Sequence, residues 1–374
     1  MALVKLGYGY LSPGQVLAFD LLDEQGRTLL SNGYVLQSQA QIDRLVERGV
    51  FFDRIEDESI VCRQAERVSI YLRISQIADD YIAAAGDDTP DPQRILAIAA
   101  ELQATCELDS NPALAAILLR KTSRYSLRHA FGAAVLAEVL LREMGRTPAQ
   151  RQSAVAGALT MNLAMLELQD TLYHQQSPLT TEQKRGIIEH PGASARMLRS
   201  IGVGDPLWLD VVEHHHEMLN GTGYAKKLTG SALSLEAQAV SLADRYCAMV
   251  SERSYRPATL PAVAAKDLLT RQGGTIDPAL AAVFMREVGI YPPGSVVALA
   301  NGEVAVVIKR TLNPAQPVVR SLRAPSGVRH AQPPKRLTSK PAYAIRNALD
   351  TELARDFDLV ALWPPAHLDN ESEE

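Results

Sequence analysis

The chain has 374 residues, of which 47% are hydrophobic and 22% charged, an ordinary globular balance that allows two or more domains and a sizeable core. A net charge of -5 and a pI of about 6.0 exclude an overall basic field that would draw the chain to nucleic acid or anionic lipid. Three scattered cysteines without a CxxC spacing, and no secretory leader pattern, argue against a disulfide framework and a thiolate zinc site, so we expect a soluble cytoplasmic protein.

Residues 1–65 are predicted to form a small N-terminal α+β unit. Strands are expected at 16–22 and 28–36, joined by a turn at 23–26. Ser38 is placed to cap a short helix that follows. This stretch carries no catalytic pattern, which favours a docking or dimerisation module.

From about residue 67 to 290 the pattern becomes helical, with a connector at 66–120 and a main helical domain at 121–290. Apolar residues recur there at spacings of three and four. The apolar stretches 129–141 and 153–168 are too short to span a bilayer. The fold class is therefore mainly α, a helical bundle, and the glycines of its central loop are not a dinucleotide fingerprint because no strand precedes them. The predicted helical segments are 67–86, 92–107, 111–121, 122–144, 148–169, 180–187, 191–201, 205–217, 233–252, 258–272 and 277–288.

After Gly289 the pattern changes to a C-terminal β extension, residues 291–345. The Asn301-Gly302 pair between two apolar runs predicts a β-hairpin. A helical patch is expected near 341–354, and residues 346–374 are predicted to be a tail whose acidic end is disordered.

The stretch 213–230 is the first candidate site. His214, His215 and His216 stand in a row before Glu217, and a loop with Gly221 and Gly223 follows. Neutral imidazole is the commonest metal ligand, and glycine allows the close backbone approach of a ligand loop. Histidine near the end of a helix also suits the helix dipole, so from these residues alone a metal site and a solvated helix end are about equally favoured.

Further polar residues lie on apolar helical faces. His129 shares a face with small apolar residues and needs a hydrogen-bond partner or a metal if it is buried; a lone histidine of this kind is more often a satisfied core residue. Asp244 could bind a cation, cap a helix, or pair with Arg245 or Arg253. With His190 and the 214–216 run, four helical segments would each offer a ligand to one interior, as in metal sites of helical bundles.

In the region 120–310 these residues occur in an order and spacing that resembles the HD-GYP proteins of bacterial cyclic di-GMP signalling, a branch of the HD phosphohydrolases. The segment Leu179-Thr180-Thr-Glu-Gln with His190-Pro191 resembles the family's Leu-Thr-x-x-Glu…His-Pro element, displaced by one residue at the glutamate. The segment His215-His-Glu-x-x-Asn-Gly-x-Gly-Tyr-Ala225 is similar to its His-His-Glu-x-x-Asp-Gly-x-Gly-Tyr-Pro signature. The stretch 243–257 is similar to the element that supplies the last carboxylate ligand.

The resemblance implies a helical HD-type bundle that binds divalent metals and cyclic di-GMP. By position, the implied metal ligands are His129, His190, His215, His216 and Asp244. The implied substrate-binding residues are Gly221, Gly223, Tyr224, Arg253 and Arg256. Members of this family are metal-dependent phosphodiesterases in which two metal ions, often iron or manganese, activate the attack on a phosphodiester of cyclic di-GMP.

The chain departs from this pattern at the defining His-Asp pair. Met161 stands at the position of the histidine and Asn162 at that of the aspartate that bridges the metals. Met165 stands where a lysine would face substrate phosphate, and Asn220 and Ala225 replace the aspartate and proline of the signature loop. Neutral Asn162 cannot bridge two cations as a carboxylate can, so we expect no two-metal centre. A single divalent transition metal (iron, manganese or zinc), weakly held or absent, is the cofactor expected.

The leading hypothesis is a degenerate HD-GYP protein, non-catalytic or weakly active, which acts as a cyclic di-GMP receptor or as a protein-interaction regulator. One alternative is an active phosphodiesterase with an atypical metal site. Another is a structural scaffold for a signalling partner such as a diguanylate cyclase, with a homodimer as a further option. We expect neither a nucleic-acid partner nor a membrane span.

Overall fold

The computed structural model of the chain describes residues 3–6, 17, 20–31, 34–38, 41–42, 44–45, 50–53, 69–86, 90–120, 124–252, 258–270 and 274–365. The chain divides into two compact units. One comprises residues 1–76 with 364–370, and the other comprises residues 77–363 with 371–374.

The first unit holds a four-stranded sheet in the order β1-β4-β2-β3. Its strands are β1 (Leu3–Leu6), β2 (Leu21–Leu22), β3 (Thr28–Leu30) and β4 (Val50–Asp53). β2 and β3 cover the parts of the predicted strands that adjoin the turn at 23–26. The turn is closed by the Asp23 carboxylate, which accepts the amides of Gln25 and Arg27. Residues 41–42 and 44–45 are helical, and the Ser38 hydroxyl accepts the Gln41 amide, as a capping residue should.

Helices dominate the rest of the chain, and the mainly α prediction is confirmed. None of the helices among the described residues is long and apolar enough to cross a membrane. The helices are α1 (Ile70–Ala85), α2 (Pro92–Leu108), α3 (Ser110–Leu119), α4 (Tyr125–Glu143), α5 (Pro148–Thr160), α6 (Leu166–His174), α7 (Thr181–Ser200), α8 (Pro206–His214), α9 (Leu235–Val250), α10 (Pro261–Thr270) and α11 (Pro278–Val288).

Local sequence accounts for where several helices begin. Thr147 and Gln150 form a capping box at the start of α5, and Thr180 and Gln183 form another at the start of α7. The Ser234 hydroxyl caps α9. Helix α4 lies at the centre, packed against both α5 and α9, and is buried along nearly its whole length, as its apolar composition predicts.

The predicted helix 148–169 is wrong as a single element, because α5 ends at Thr160. The last carbonyls of α5 meet side chains from elsewhere in the fold: the Tyr81 hydroxyl donates to the Leu159 carbonyl at 2.6 Å. Past the break, a short 3-10 turn at Leu163–Met165 leads into α6, and the Ala164 amide donates to the Ser194 hydroxyl at 3.1 Å. These tertiary hydrogen bonds replace the next helical turn and place residues 161–165 at the helix end.

The C-terminal sheet has five antiparallel strands in the order β8-β7-β6-β5-β9. The hairpin predicted at Asn301-Gly302 is present, with Val296 opposite Val306. The helical patch predicted near 341–354 is wrong: residues 345–349 form a strand, which is flanked by single 3-10 turns and pairs with β5. The strands are β5 (Val296–Leu299), β6 (Val304–Lys309), β7 (Val318–Arg323), β8 (Lys335–Leu337) and β9 (Ile345–Leu349). The acidic end predicted to be disordered lies outside the described residues.

Candidate metal centre and its cavity

A cavity of about 260 Å³ opens where α4, α6, α7 and α9 meet the loop after α8. Its lining combines polar side chains with aromatic and aliphatic ones. It is lined by Tyr125, His129, Asn162, Met165, Gln169, Leu172, Tyr173, Ile187, His190, His216, Tyr224, Asp244 and Ala248. Most of the predicted ligand positions therefore border one space, while their role as metal ligands stays a prediction.

His190 is oriented by the proline that follows it. The sequence predicted two separate helical segments, 180–187 and 191–201, but α7 runs without a break from Thr181 to Ser200 and includes Pro191. In a regular helix the amide of residue 191 would donate to the Ile187 carbonyl, and proline has no such amide. The Nδ1 of His190 takes its place and donates to the Ile187 carbonyl at 2.6 Å. A carbonyl can only accept, so the proton of neutral His190 lies on Nδ1 and the Nε2 lone pair is free for a ligand.

His215 is fixed in the same tautomer. It follows the last residue of α8, where carbonyls lack helical donors, and its Nδ1 donates to the Val212 carbonyl at 2.8 Å. Its Nε2 lies 3.1 Å from the Nε2 of His190. Two unprotonated nitrogens at this distance repel each other unless a cation lies near both. The contact therefore does not suit a core hydrogen bond, and it is compatible with two ligands of one metal ion.

His216 completes the cluster. Ligand atoms of His190, His215 and His216 all lie within 4.8 Å of one another. The His216 ring stacks on Tyr224, with centroids 4.6 Å apart. Burial lowers the pKa of His190 to about 3, with the neighbouring His215 adding to the effect, and burial also lowers the pKa values of His215 and His216. All three imidazoles are therefore neutral near pH 7, as metal ligands must be.

His129 and Asp244 form a second group that is already paired. The Nε2 of His129 donates to Asp244 Oδ1 at 2.6 Å, whereas Asp244 Oδ2 lies 3.8 Å from His216 Nδ1. Burial alone would raise the Asp244 pKa, but the hydrogen bond from His129 outweighs it and holds that pKa below its usual range. Asp244 is thus ionised, with His129 as its partner. A metal between the two would have to displace the proton they share.

The three departures from the family pattern occupy different places. Met161 is fully buried and lies outside the cavity lining. Asn162 is buried and Met165 half-buried, and both line the cavity. The positions at which the resemblance implies a bridging carboxylate and a phosphate-facing lysine therefore border the histidines, but bring no charge to them.

The glycine loop is held against this cluster by its backbone. A Cβ on Gly223 would lie 2.5 Å from the His216 carbonyl oxygen, so only glycine allows this approach, and Gly221 has a φ of 73°. The Tyr224 amide donates to that same His216 carbonyl. Glu217 is 2% exposed and its carboxylate accepts three backbone amides, those of residues 226, 227 and 228. The loop that carries Tyr224 is thereby tied to the histidine run.

His214 faces away from the cluster. Its Nδ1 lies 2.7 Å from Asp210 Oδ1, and its Nε2 lies 3.2 Å from the Lys226 ammonium. His215 and His216 thus belong to the histidine cluster. His214 instead contacts Lys226 in the glycine loop. The predicted phosphate contacts Arg253 and Arg256 lie outside the described residues.

Sequence reasoning missed three further residues that line the cavity. They are Tyr125, Tyr173 and Gln169. Tyr125 stands one helical turn before His129, and that spacing could have indicated it. Tyr173 was missed because the helix was predicted to end at 169, so that residues 170–174 were not expected to be helical. Gln169, the last residue of the predicted helix, carried no signal of its own.

The side chains present fit one divalent metal ion and not two. His190, His215 and His216 offer three borderline nitrogen ligands, a set that suits iron, manganese or zinc. The second position would rest on His129 and Asp244, which are bonded to each other, and on neutral Asn162. Among the described residues that line the cavity, Asp244 is the one carboxylate, and two divalent ions would stay poorly neutralised.

Residues 112–280 match the HD domain family. The chain is similar to the cyclic di-GMP phosphodiesterase PA4108 of Pseudomonas aeruginosa, with 29% identity over 211 residues, 56% of this chain and 50% of that protein. It is also similar to a cyclic di-GMP phosphodiesterase of Vibrio cholerae, with 30% identity over 37% of this chain and 30% of that protein. A 3'3'-cGAMP-specific phosphodiesterase 1 of Vibrio cholerae is 25% identical over 40% of this chain and 35% of that protein. The chain spans half the length or less of these relatives.

Among solved structures, the chain is similar to Bd1817, a HDG"Y"P protein from Bdellovibrio bacteriovorus. The TM-score is 0.50 with 16% identity, over 76% of this chain and 98% of that chain. At this identity the likeness shows a shared fold. It agrees with the HD-type helical bundle that the resemblance predicted.

Proposed function

We propose that the chain, whose residues 112–280 match the HD domain family, is a degenerate HD-GYP protein that binds cyclic di-GMP and one divalent metal, with little or no phosphodiesterase activity. One observation carries the proposal. The cavity holds one complete cluster of neutral imidazoles, while the residues for a second metal are an already bonded His129–Asp244 pair and Asn162. The relatives named as cyclic di-GMP phosphodiesterases support the choice of ligand.

In this proposal the three-histidine cluster holds the metal through Nε2 of His190 and His215 and a ring nitrogen of His216. When bound, such a metal would supply Lewis acidity toward a phosphate oxygen. The chain's own contribution is orientation. The carbonyls of Ile187 and Val212 hold two of the rings in the ligating tautomer, and Tyr224 covers His216.

The same residues explain why turnover is expected to be weak. Two-metal phosphodiesterases stabilise both the attacking and the leaving oxygen with cations. Here Asn162 and Met165 bring no charge to the cavity, and Asp244 Oδ1 is occupied by the His129 proton. A ligand phosphate would therefore be bound without being strongly activated.

The proposal is tested on the full chain supplied with manganese or ferrous iron. Isothermal titration with cyclic di-GMP measures binding, and product analysis of the same samples measures hydrolysis. The His215→Ala/His216→Ala variant is the control for metal dependence, and 3'3'-cGAMP is the control for nucleobase preference. We expect binding that the double variant weakens, and turnover that is slow or undetectable.

Two results would contradict the proposal. Fast hydrolysis that the double variant abolishes would show an active phosphodiesterase built on one metal. Absence of binding at high micromolar ligand would remove the receptor function and leave a scaffold for a protein partner.

A further inference from the structure

One wall of the cavity is an aromatic stack. Tyr125 and Tyr173 lie with ring centroids 4.6 Å apart and planes 18° apart, and Tyr125 continues onto His129 with centroids at 5.6 Å. Tyr125 is buried, whereas Tyr173 is half-buried and borders the cavity. An aromatic ring beside a polar cavity is a platform on which a nucleobase can stack.

The position of this stack is built into the fold. Asp170, one turn before Tyr173 on α6, accepts the Ser126 amide at 2.8 Å and the Ser126 hydroxyl at 2.9 Å. These hydrogen bonds join α6 to the first turn of α4, which carries Tyr125. The hydrogen bonds between Asp170 and Ser126 therefore fix the position of Tyr173 relative to Tyr125.

The cationic side chain of Arg128 lies beside both tyrosine rings. The Arg128 guanidinium carbon lies 5.6 Å from the Tyr125 ring centroid and 6.0 Å from that of Tyr173. Within the described ranges no carboxylate forms a salt bridge with Arg128, in contrast to its neighbour Arg124, which pairs with Asp170. Arg128 therefore offers a positive charge beside two cavity-lining rings that is not neutralised by the described part of the chain.

The two rings beside this charge line the cavity in which a family cation is missing. Met165 lines the same space and carries no charge at the position where the resemblance implies a phosphate-facing lysine. In addition, Gln169 lines the cavity with a buried Oε1 that no donor among the described residues satisfies. A buried acceptor without a donor is costly, and an N–H group on a nucleobase edge would supply one.

We propose that Arg128 and Tyr173 bind one nucleotide half of a cyclic dinucleotide, with Arg128 on a phosphate and Tyr173 stacked on the base. The inference rests on the proposed cyclic di-GMP binding and adds to it an aromatic wall formed by α4 and α6. Arg128 then supplies the charge that Met165 lacks. The planar guanidinium suits this role because it can stack on the tyrosines while its N–H groups reach phosphate oxygens.

The test measures cyclic di-GMP affinity by isothermal titration on the manganese-loaded full chain. Tyr173→Leu keeps an apolar side chain but removes the ring, and it should weaken binding about tenfold or more, the scale of one base–aromatic stack. Tyr173→Phe keeps the ring and should bind within about threefold of the wild type, because stacking needs no hydroxyl. The pair separates stacking from a general disturbance of α6.

For the charge, Arg128→Gln should weaken binding about tenfold and flatten its dependence on salt, since one screened cation–phosphate pair is lost. Arg355→Gln is the matched control: its side chain is 72% exposed, its ion pair with Glu352 is 3.6 Å long, and no change is expected. Manganese content is measured on every variant, and it should equal that of the wild type.

Each outcome decides. Weaker binding by Tyr173→Leu and Arg128→Gln, with Tyr173→Phe and the control unchanged, supports the wall. Wild-type affinity in all variants overturns it while cyclic di-GMP binding stands. A wild-type chain that loads manganese but binds no cyclic di-GMP overturns the wall together with the receptor function, and leaves the metal site intact.

Discussion

Replacement of Glu217 by alanine should release the loop that carries Tyr224. The carboxylate is buried and accepts the amides of Lys226 at 2.5 Å, Lys227 at 3.0 Å and Leu228 at 3.0 Å. Lys227 has a φ of 59°, a left-handed conformation that a lysine adopts at some energetic cost. The hydrogen bonds to Glu217 hold the backbone in that conformation.

The magnitude follows from these three hydrogen bonds. Hydrogen bonds to charged groups contribute about 1.5–3 kcal/mol each when the freed partner stays buried. Lys226 and Lys227 are exposed, so their amides would bond to water after the substitution, and the total loss is smaller than the sum. We expect about 2–3 kcal/mol, which raises the population of the open loop by about 30- to 150-fold.

Limited trypsin digestion measures this opening directly, because Lys226 and Lys227 are cleavage sites inside the loop. When the loop recloses faster than it is cut, the cleavage rate follows the open population. Glu213→Ala is the matched control. Glu213 pairs with the half-exposed Lys226 ammonium at 2.8 Å, a contact that contributes at most about 1 kcal/mol and a change below about fivefold.

If Glu217→Ala were cleaved at these lysines no faster than Glu213→Ala, the hydrogen bonds to Glu217 would not be what keeps the loop closed. The same would follow if the first cleavage in Glu217→Ala occurred outside residues 221–229. Either result would mean that other contacts hold the loop.

Further predictions concern the same centre. Pro191→Ala restores an amide donor to the Ile187 carbonyl, so His190 loses its fixed orientation and metal affinity in a titration should fall about tenfold; unchanged affinity would contradict the tautomer argument. The metal-free chain should lose stability on acidification: burial lowers the His190 pKa from 6.5 to about 3, so below pH 6.5 the unfolded chain takes up a proton that the folded one refuses. Urea unfolding at two pH values should show a loss of up to about 1.4 kcal/mol per pH unit for this group, and equal stability at pH 7 and pH 5 would exclude the effect. Gly223→Ala forces a Cβ to within 2.5 Å of backbone and should lower the melting temperature by several degrees, whereas Gly204→Ala, with nothing within 4 Å, should leave it unchanged.

The part of the site that depends on helical spacing could be predicted from the sequence. His129, His190, His216 and Asp244 border one cavity because each lies on a helix or at a helix end whose apolar face fixes its direction. The separation of His214 from the other two could not be predicted from this pattern. It depends on Asp210 and Lys226, which lie four residues before His214 and twelve residues after it.

The remainder depends on tertiary hydrogen bonds that leave no periodic pattern. The segments 180–187 and 191–201 were predicted to be separate, but they form one helix in which the His190 side chain supplies the donor that Pro191 lacks. Residues 166–174 form a separate helix because the end of α5 is bound by Tyr81, so the aromatic wall was not foreseen. The segment 345–349 was predicted to be helical because it is too short to show a clear strand periodicity. Its strand conformation depends on its pairing with β5, which lies far away in the sequence.

We expect the cavity to bind one metal ion, whereas the resemblance to the HD-GYP family implies two. The most direct measurement is the metal content per chain by mass spectrometry, after loading with manganese or ferrous iron and removal of excess. The wild type should hold about one ion, His190→Ala/His215→Ala almost none, and the repaired variant Met161→His/Asn162→Asp/Met165→Lys more than the wild type. About two ions in the wild type, or an equal content in the wild type and the His190→Ala/His215→Ala variant, would contradict the account.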